Sequence, residues 1–141
     1  MNNFKDISTF SNDKDGLGLG FSINYDDLIK SCNLKIVNKE RFGSYQGDIF
    51  YLVKDENRYG FVVVGFGSCS GCDALYSCTT LDELSLLRDK IYSNITWRNS
   101  KKGIINYLEE KDHSKEYYFW LEKSDIKKFI KECKKVLNNH N

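Results

Sequence analysis

The amino-acid sequence predicts an α+β domain, in which a small antiparallel sheet of three or four strands, centred on one hairpin, is packed by three or four helices. Three observations carry that expectation. Residues 45–53 alternate in polarity, and after turn-forming residues they are followed by the continuous apolar run Phe-Val-Val-Val-Gly-Phe at 61–66. Thr80-x-x-Glu83 is a capping pattern ahead of the stripe Leu84, Leu87, Ile91 and Ile95. Ile126, Phe129, Ile130, Cys133 and Leu137 recur at helical spacing, opposite Lys127, Lys128, Lys131, Lys134 and Lys135.

Taken in order, residues 1–15 are polar with scattered Phe and Ile, and are expected to be loose. Gly16-Leu17-Gly18-Leu19-Gly20 reads as a flexible connector; it is no phosphate loop, because neither a preceding strand nor a following helix with Lys is present. Asn24 is placed to cap a helix over 25–32, with Asp26 and Asp27 in the first turn where the helix dipole favours them. Residues 34–41 form a strand that Gly43 breaks. In 45–53, Tyr45, Ile49, Tyr51 and Val53 share one face. Residues 55–60 are turn material, so 45–53 and 61–66 should pair as a hairpin. The run 61–66 has no polar face, which predicts a central strand covered on both sides.

The helix opened by Thr80 should extend to about Ile95, followed by a break at 97–100. Residues 101–111 form a weaker helix around Ile104, Ile105 and Leu108, with Gly103 against it. Residues 116–121 are strand-like and aromatic (Tyr117, Tyr118, Phe119, Trp120), fit to join the sheet edge or to lie over it. Ser124 and Asp125 then cap a helix over 125–137.

At 141 residues, with 40% hydrophobic residues, the chain suits one domain spanning 1–141. Twenty-one basic and 20 acidic residues leave a net charge of +1, too even for a global field that steers onto nucleic acid or anionic lipid. No apolar stretch approaches the roughly 20 residues that cross a bilayer, and residues 1–6 lack the apolar segment of a signal peptide. A cytoplasmic location is expected, with reduced thiols, and the odd count of five cysteines fits that.

Chemistry-bearing groups concentrate in Gly67-Ser68-Cys69-Ser70-Gly71-Cys72-Asp73, where the apolar strand ends and a helix is near. Cys69 and Cys72 have the spacing of half a tetrahedral zinc site, with Cys78, Cys32, Cys133, His113, His140 or Asp73 left to complete it. The same pair could form a thiol–disulfide centre, but the chain contains no proline to supply the cis-proline of thioredoxin-like folds. Gly65, Gly67 and Gly71 would let backbone N–H groups converge on an anion, without the spacing of a dinucleotide fingerprint. The plainest alternative is a tight structural turn with the cysteines as small buried hydrophobes. Elsewhere, His113 and His140 show no triad partner in reach, and the pairs Asp26/Asp27 and Glu109/Glu110 read as helix-end charges. The lysine face of the last helix reads as solvated.

The segment 67–75, with its G-S-C-S-G-C-D sequence after a hairpin strand and before a helix, resembles a loop in small proteins of phages and their bacterial hosts. The resemblance covers about the middle third of the chain. It implies a small cytoplasmic accessory protein and no catalytic assignment. The expectation is therefore a binding protein without a cofactor, contacting a protein partner or small ligand through Ser68, Ser70, Gly71, Asp73 and Trp120. On that reading Asp73→Ala or Ser70→Ala leaves the fold intact and abolishes partner recovery. The rival expectation is a zinc or thiol-redox protein centred on Cys69, Cys72 and Cys78.

Overall fold

The strand-forming residues at the centre of the chain carry apolar side chains on both faces, and that fixes the layering. A computed structural model describes residues 4–10, 23–67, 73–110 and 123–139. Strands β1 (Lys35–Gly43), β2 (Gly47–Lys54), β3 (Tyr59–Phe66) and β4 (Thr96–Arg98) form an open sheet in the order β1-β2-β3-β4, each antiparallel to its neighbour. Five α-helices accompany it among the described residues: α1 (Tyr25–Lys30), α2 (Ala74–Ser77), α3 (Leu81–Ser93), α4 (Lys101–Glu110) and α5 (Lys123–Asn139). The chain is thus α+β, as expected.

One face of the sheet presents Ile49, Tyr51 and Val53 beside Val62, Val64 and Phe66. They pack with Leu28 and Ile29 of α1 and Leu84 and Ile91 of α3. The other face presents Phe50, Leu52 and Phe61, packed with Ile104 and Leu108 of α4 and Ile126, Phe129, Cys133 and Leu137 of α5. Strand β3 is therefore covered on both sides, as its unbroken apolar run demands. So is β2, whose second face the alternation of 45–53 did not mark as apolar: Phe50 and Leu52 fill it. Tyr45 is not part of the strand; it sits 80% exposed in the β1–β2 turn.

The turns follow from local chemistry. Gly43 adopts φ +101°, and an added Cβ there would fall 2.2 Å from the Gln46 carbonyl oxygen, so the β1–β2 turn requires glycine. Between β2 and β3, the Asp55 carboxylate accepts from the backbone N–H of Asn57 (2.9 Å) and Arg58 (2.6 Å), an Asx-type turn. The Arg58 guanidinium then lies 4.0 Å over the Trp97 ring.

Several boundaries differ from the sequence expectation. The break expected at 97–100 contains instead the short edge strand β4, which pairs with Tyr59, Gly60 and Phe61. Gly60 permits that pairing, since a Cβ there would lie 2.5 Å from Ile95 Cγ2 and 3.0 Å from the Trp97 ring. Helix α3 stops at Ser93, where the Asn94 N–H turns back to the carbonyls of Ile91 and Tyr92; Ile95 remains buried on the way into β4. Thr80 caps α3 by accepting from the Glu83 N–H (3.1 Å). The Glu83 carboxylate takes the hydroxyls of Thr79 and Thr80, so the reciprocal half of the box is replaced. Helix α5 begins at Lys123, which places Ser124 and Asp125 inside its first turn.

The segment expected to be loose is tied down over residues 4–10. Phe4 packs edge-on against Tyr92 (5.0 Å), Ile7 is buried, and Arg88 donates to the Lys5 carbonyl (2.8 Å). Residues 11–22, including the glycine-rich connector, and the aromatic run 116–121 lie outside the described residues.

Candidate functional site

Strand β3 ends at Phe66, and the chain re-enters the described structure at Asp73, the N-cap of α2. Asp73 is 6% exposed, and its carboxylate faces inward. Oδ2 accepts from the Gly67 N–H (2.8 Å); Oδ1 accepts from the Leu75 N–H (2.9 Å) and from the Tyr25 hydroxyl (2.5 Å). The Leu75 N–H also donates to the Tyr25 oxygen (3.1 Å). One carboxylate thus ties the residue before segment 68–72 to the first turn after it, and ties both to α1. Burial, then the hydrogen bond to Asp73, pushes the Tyr25 phenol upward, so it stays a neutral donor at physiological pH.

This geometry argues that Asp73→Ala would lower stability as well as any binding. Asp73 does make the hydrogen bonds assigned to it, but with the protein's own N–H and O–H groups. A buried acceptor of that kind is a structural anchor.

Of the remaining candidate residues, Ser68, Cys69, Ser70, Gly71, Cys72 and Trp120 lie outside the described residues, as do His113 and His140. Cys78 is described: it is the C-cap of α2, it is buried, and its thiol points at the Ala74 carbonyl (3.4 Å). Burial, with the nearby Glu83 and Asp73 charges, raises its pKa. Cys32 and Cys133 are buried in opposite layers of the core, and burial pushes each thiol up to about 12. Neither is poised as a nucleophile. Among the described residues, no group of three or more His, Cys, Asp or Glu side chains is gathered to hold a metal ion. Beside the site, Arg41 is exposed and its guanidinium rests 3.8 Å from the Phe66 ring centroid.

A second polar cluster was not legible in the sequence. Asp27, not Asp26, completes the α1 cap, exchanging bonds with Asn24 in both directions (2.9 and 3.1 Å). Asp26 is thereby released to accept from the buried Tyr51 hydroxyl (2.7 Å) and to pair with Lys39. Burial opposes its ionisation, but the hydrogen bonds from Lys39 and Tyr51 and the Lys39 and Lys30 charges prevail, holding the carboxyl below its ordinary range. The three residues are far apart in sequence, and no spacing joins them. A folded-state pKa below the unfolded one adds stability above the unfolded value, about 3.9, and that stability disappears as pH falls through the folded value. Asp26→Asn should therefore lower the urea midpoint at pH 7, and the gap to the parent should close as pH is lowered through the carboxylate range. A gap that stays constant down to about pH 3 would contradict this account.

No described helix is long and apolar enough to cross a membrane. No family model matches the chain, and no curated protein or solved structure matches it.

Proposed function

We propose that the chain is a small cytoplasmic accessory protein, of the phage or mobile-element kind, that binds a partner protein or small ligand through the loop 68–73. The observation that supports this reading is the Asp73 anchor, which ties Gly67 and Leu75 to one buried carboxylate at the two ends of segment 68–72. A segment held by a rigid base loses less entropy when it meets a partner. On this reading Ser68 and Ser70 supply hydrogen bonds, Gly71 supplies backbone shape, and Trp120 adds an aromatic contact. Asp73 holds the flanking residues Gly67 and Leu75. No reaction is assigned.

The test is affinity capture with the parent chain, with Ser68→Ala/Ser70→Ala, and with Leu86→Ser as a control at an exposed position on α3. Circular dichroism should first show that all three are folded. Species recovered by the parent and by Leu86→Ser should be lost with the double serine variant. Equal recovery by all three would make the loop a structural turn. Zinc copurifying at about one ion per chain, and lost with Cys69→Ser, would replace the reading with the metal-centred one.

A further inference from the structure

We propose that the groove between α1 and the outer edge of β1 docks an extended acidic protein segment, which adds to β1 as a further strand. The groove is shallow and open to solvent, with a volume of about 640 Å³. Its apolar surface comes from Leu34, which is buried, and from Ile36 and Val37, which are half-buried. Exposed Lys30, Lys35 and Lys39 line it, and the one carboxylate present, Asp26, is already engaged by Lys39 and Tyr51. A balanced chain with a net charge of +1 thus carries a local excess of positive charge along one sheet edge.

The register adds an independent observation. Lys35 stands directly opposite Lys54, and like charges so placed destabilise a strand pair. An anionic occupant would relieve that repulsion. β1 is nine residues long, with its register shifted between Ile36 and Asn38, and lies at the end of the strand order, so its outer edge meets no further strand among the described residues. Such an edge offers main-chain hydrogen bonds to an incoming strand, with side chains on its α1 side free to meet Leu34 and Ile36, while Val37 packs towards α5. A second copy of this chain is a poorer occupant, because its β1 edge carries Lys35, Lys39 and Arg41 against the single acid Glu40. A nucleic-acid strand would use the lysines but neither the backbone edge nor Leu34, Ile36 and Val37. The groove occupies the half of the sheet away from Phe66, so this inference is independent of loop 68–73.

The full chain should be screened against displayed peptides of about nine residues with Asp or Glu at alternate positions and β-branched residues between. A matched library with Lys at the acidic positions is the counter-screen. The acidic library should be enriched, and the selected peptide should slow amide hydrogen exchange in β1. Lys30→Glu/Lys35→Glu should weaken that peptide about tenfold or more, whereas Lys127→Glu/Lys128→Glu on α5 should change it less than about twofold. Should the reversed variant fail to fold, Lys30→Gln/Lys35→Gln supplies the same comparison. No acidic enrichment, equal binding by the charge-altered variant, or protection away from β1 would each overturn the proposal. So would an oligo-dT probe that binds, and is lost with Lys30→Glu/Lys35→Glu, when no peptide is enriched.

Discussion

Phe50→Ala should cost about 4 kcal/mol of folding stability, within the range typical of buried phenylalanine truncations. Phe50 is 1% exposed at the middle of β2. Its ring meets Phe42 at 5.0 Å, Phe61 at 5.4 Å and Phe129 at 5.4 Å, each at a steep interplanar angle. Edge-to-face contacts of this kind add to the burial term. Three partners on β1, β3 and α5 are too widely spread for a local collapse to fill the space left by the ring, so the cavity term should persist. The measurement is urea unfolding, with a lowered midpoint and an unchanged slope. Val63→Ala, at a half-buried position on the same face, should cost well under half as much. A Phe50→Ala loss below about 1.5 kcal/mol would mean that α5 does not close over this face in solution.

That prediction marks where the sequence ran out. Residues 61–66 announced a doubly covered strand, because no polar residue interrupts them. Residues 45–53 announced one face, Ile49, Tyr51 and Val53, which packs with α1 and α3. The second face was harder to read because Asp48, on the same side as Phe50 and Leu52, mimics polar alternation although it is itself buried. The capped helices were legible because capping is local: Asn24 and Thr80 each satisfy an N–H three residues on. Strand β4 was not, since three residues carry no period and their pairing depends on the absent side chain of Gly60, 37 positions from Trp97 in the chain. The candidate site divided in the same way. A C-x-x-C and its flanking glycines are visible in any sequence; the Tyr25–Asp73 bond spans 48 positions and has no local signature.

Asp73→Ala should cost about 3 kcal/mol, the second-largest loss expected here, since two buried donors and one half-buried donor lose their shared acceptor together. Those donors are the Tyr25 hydroxyl and the N–H groups of Gly67 and Leu75. Tyr25→Phe should cost nearer 1 kcal/mol, as it removes one donor and leaves the carboxylate with two. The two changes should not add. Once Asp73 is gone, the Leu75 N–H keeps the Tyr25 oxygen as an acceptor, so the pair shares one network. Asp73→Asn should fall between them, because its amide oxygen can accept but its NH2 meets a donor. If Asp73→Ala lies within about 0.5 kcal/mol of the parent, the carboxylate does not anchor the loop. The proposed rigid presentation of 68–72 would then lose its physical basis. If the loss is large, any binding defect of Asp73→Ala reports displacement of the loop rather than a lost contact. The serine variants, which leave the anchor untouched, are then the ones that separate recognition from folding.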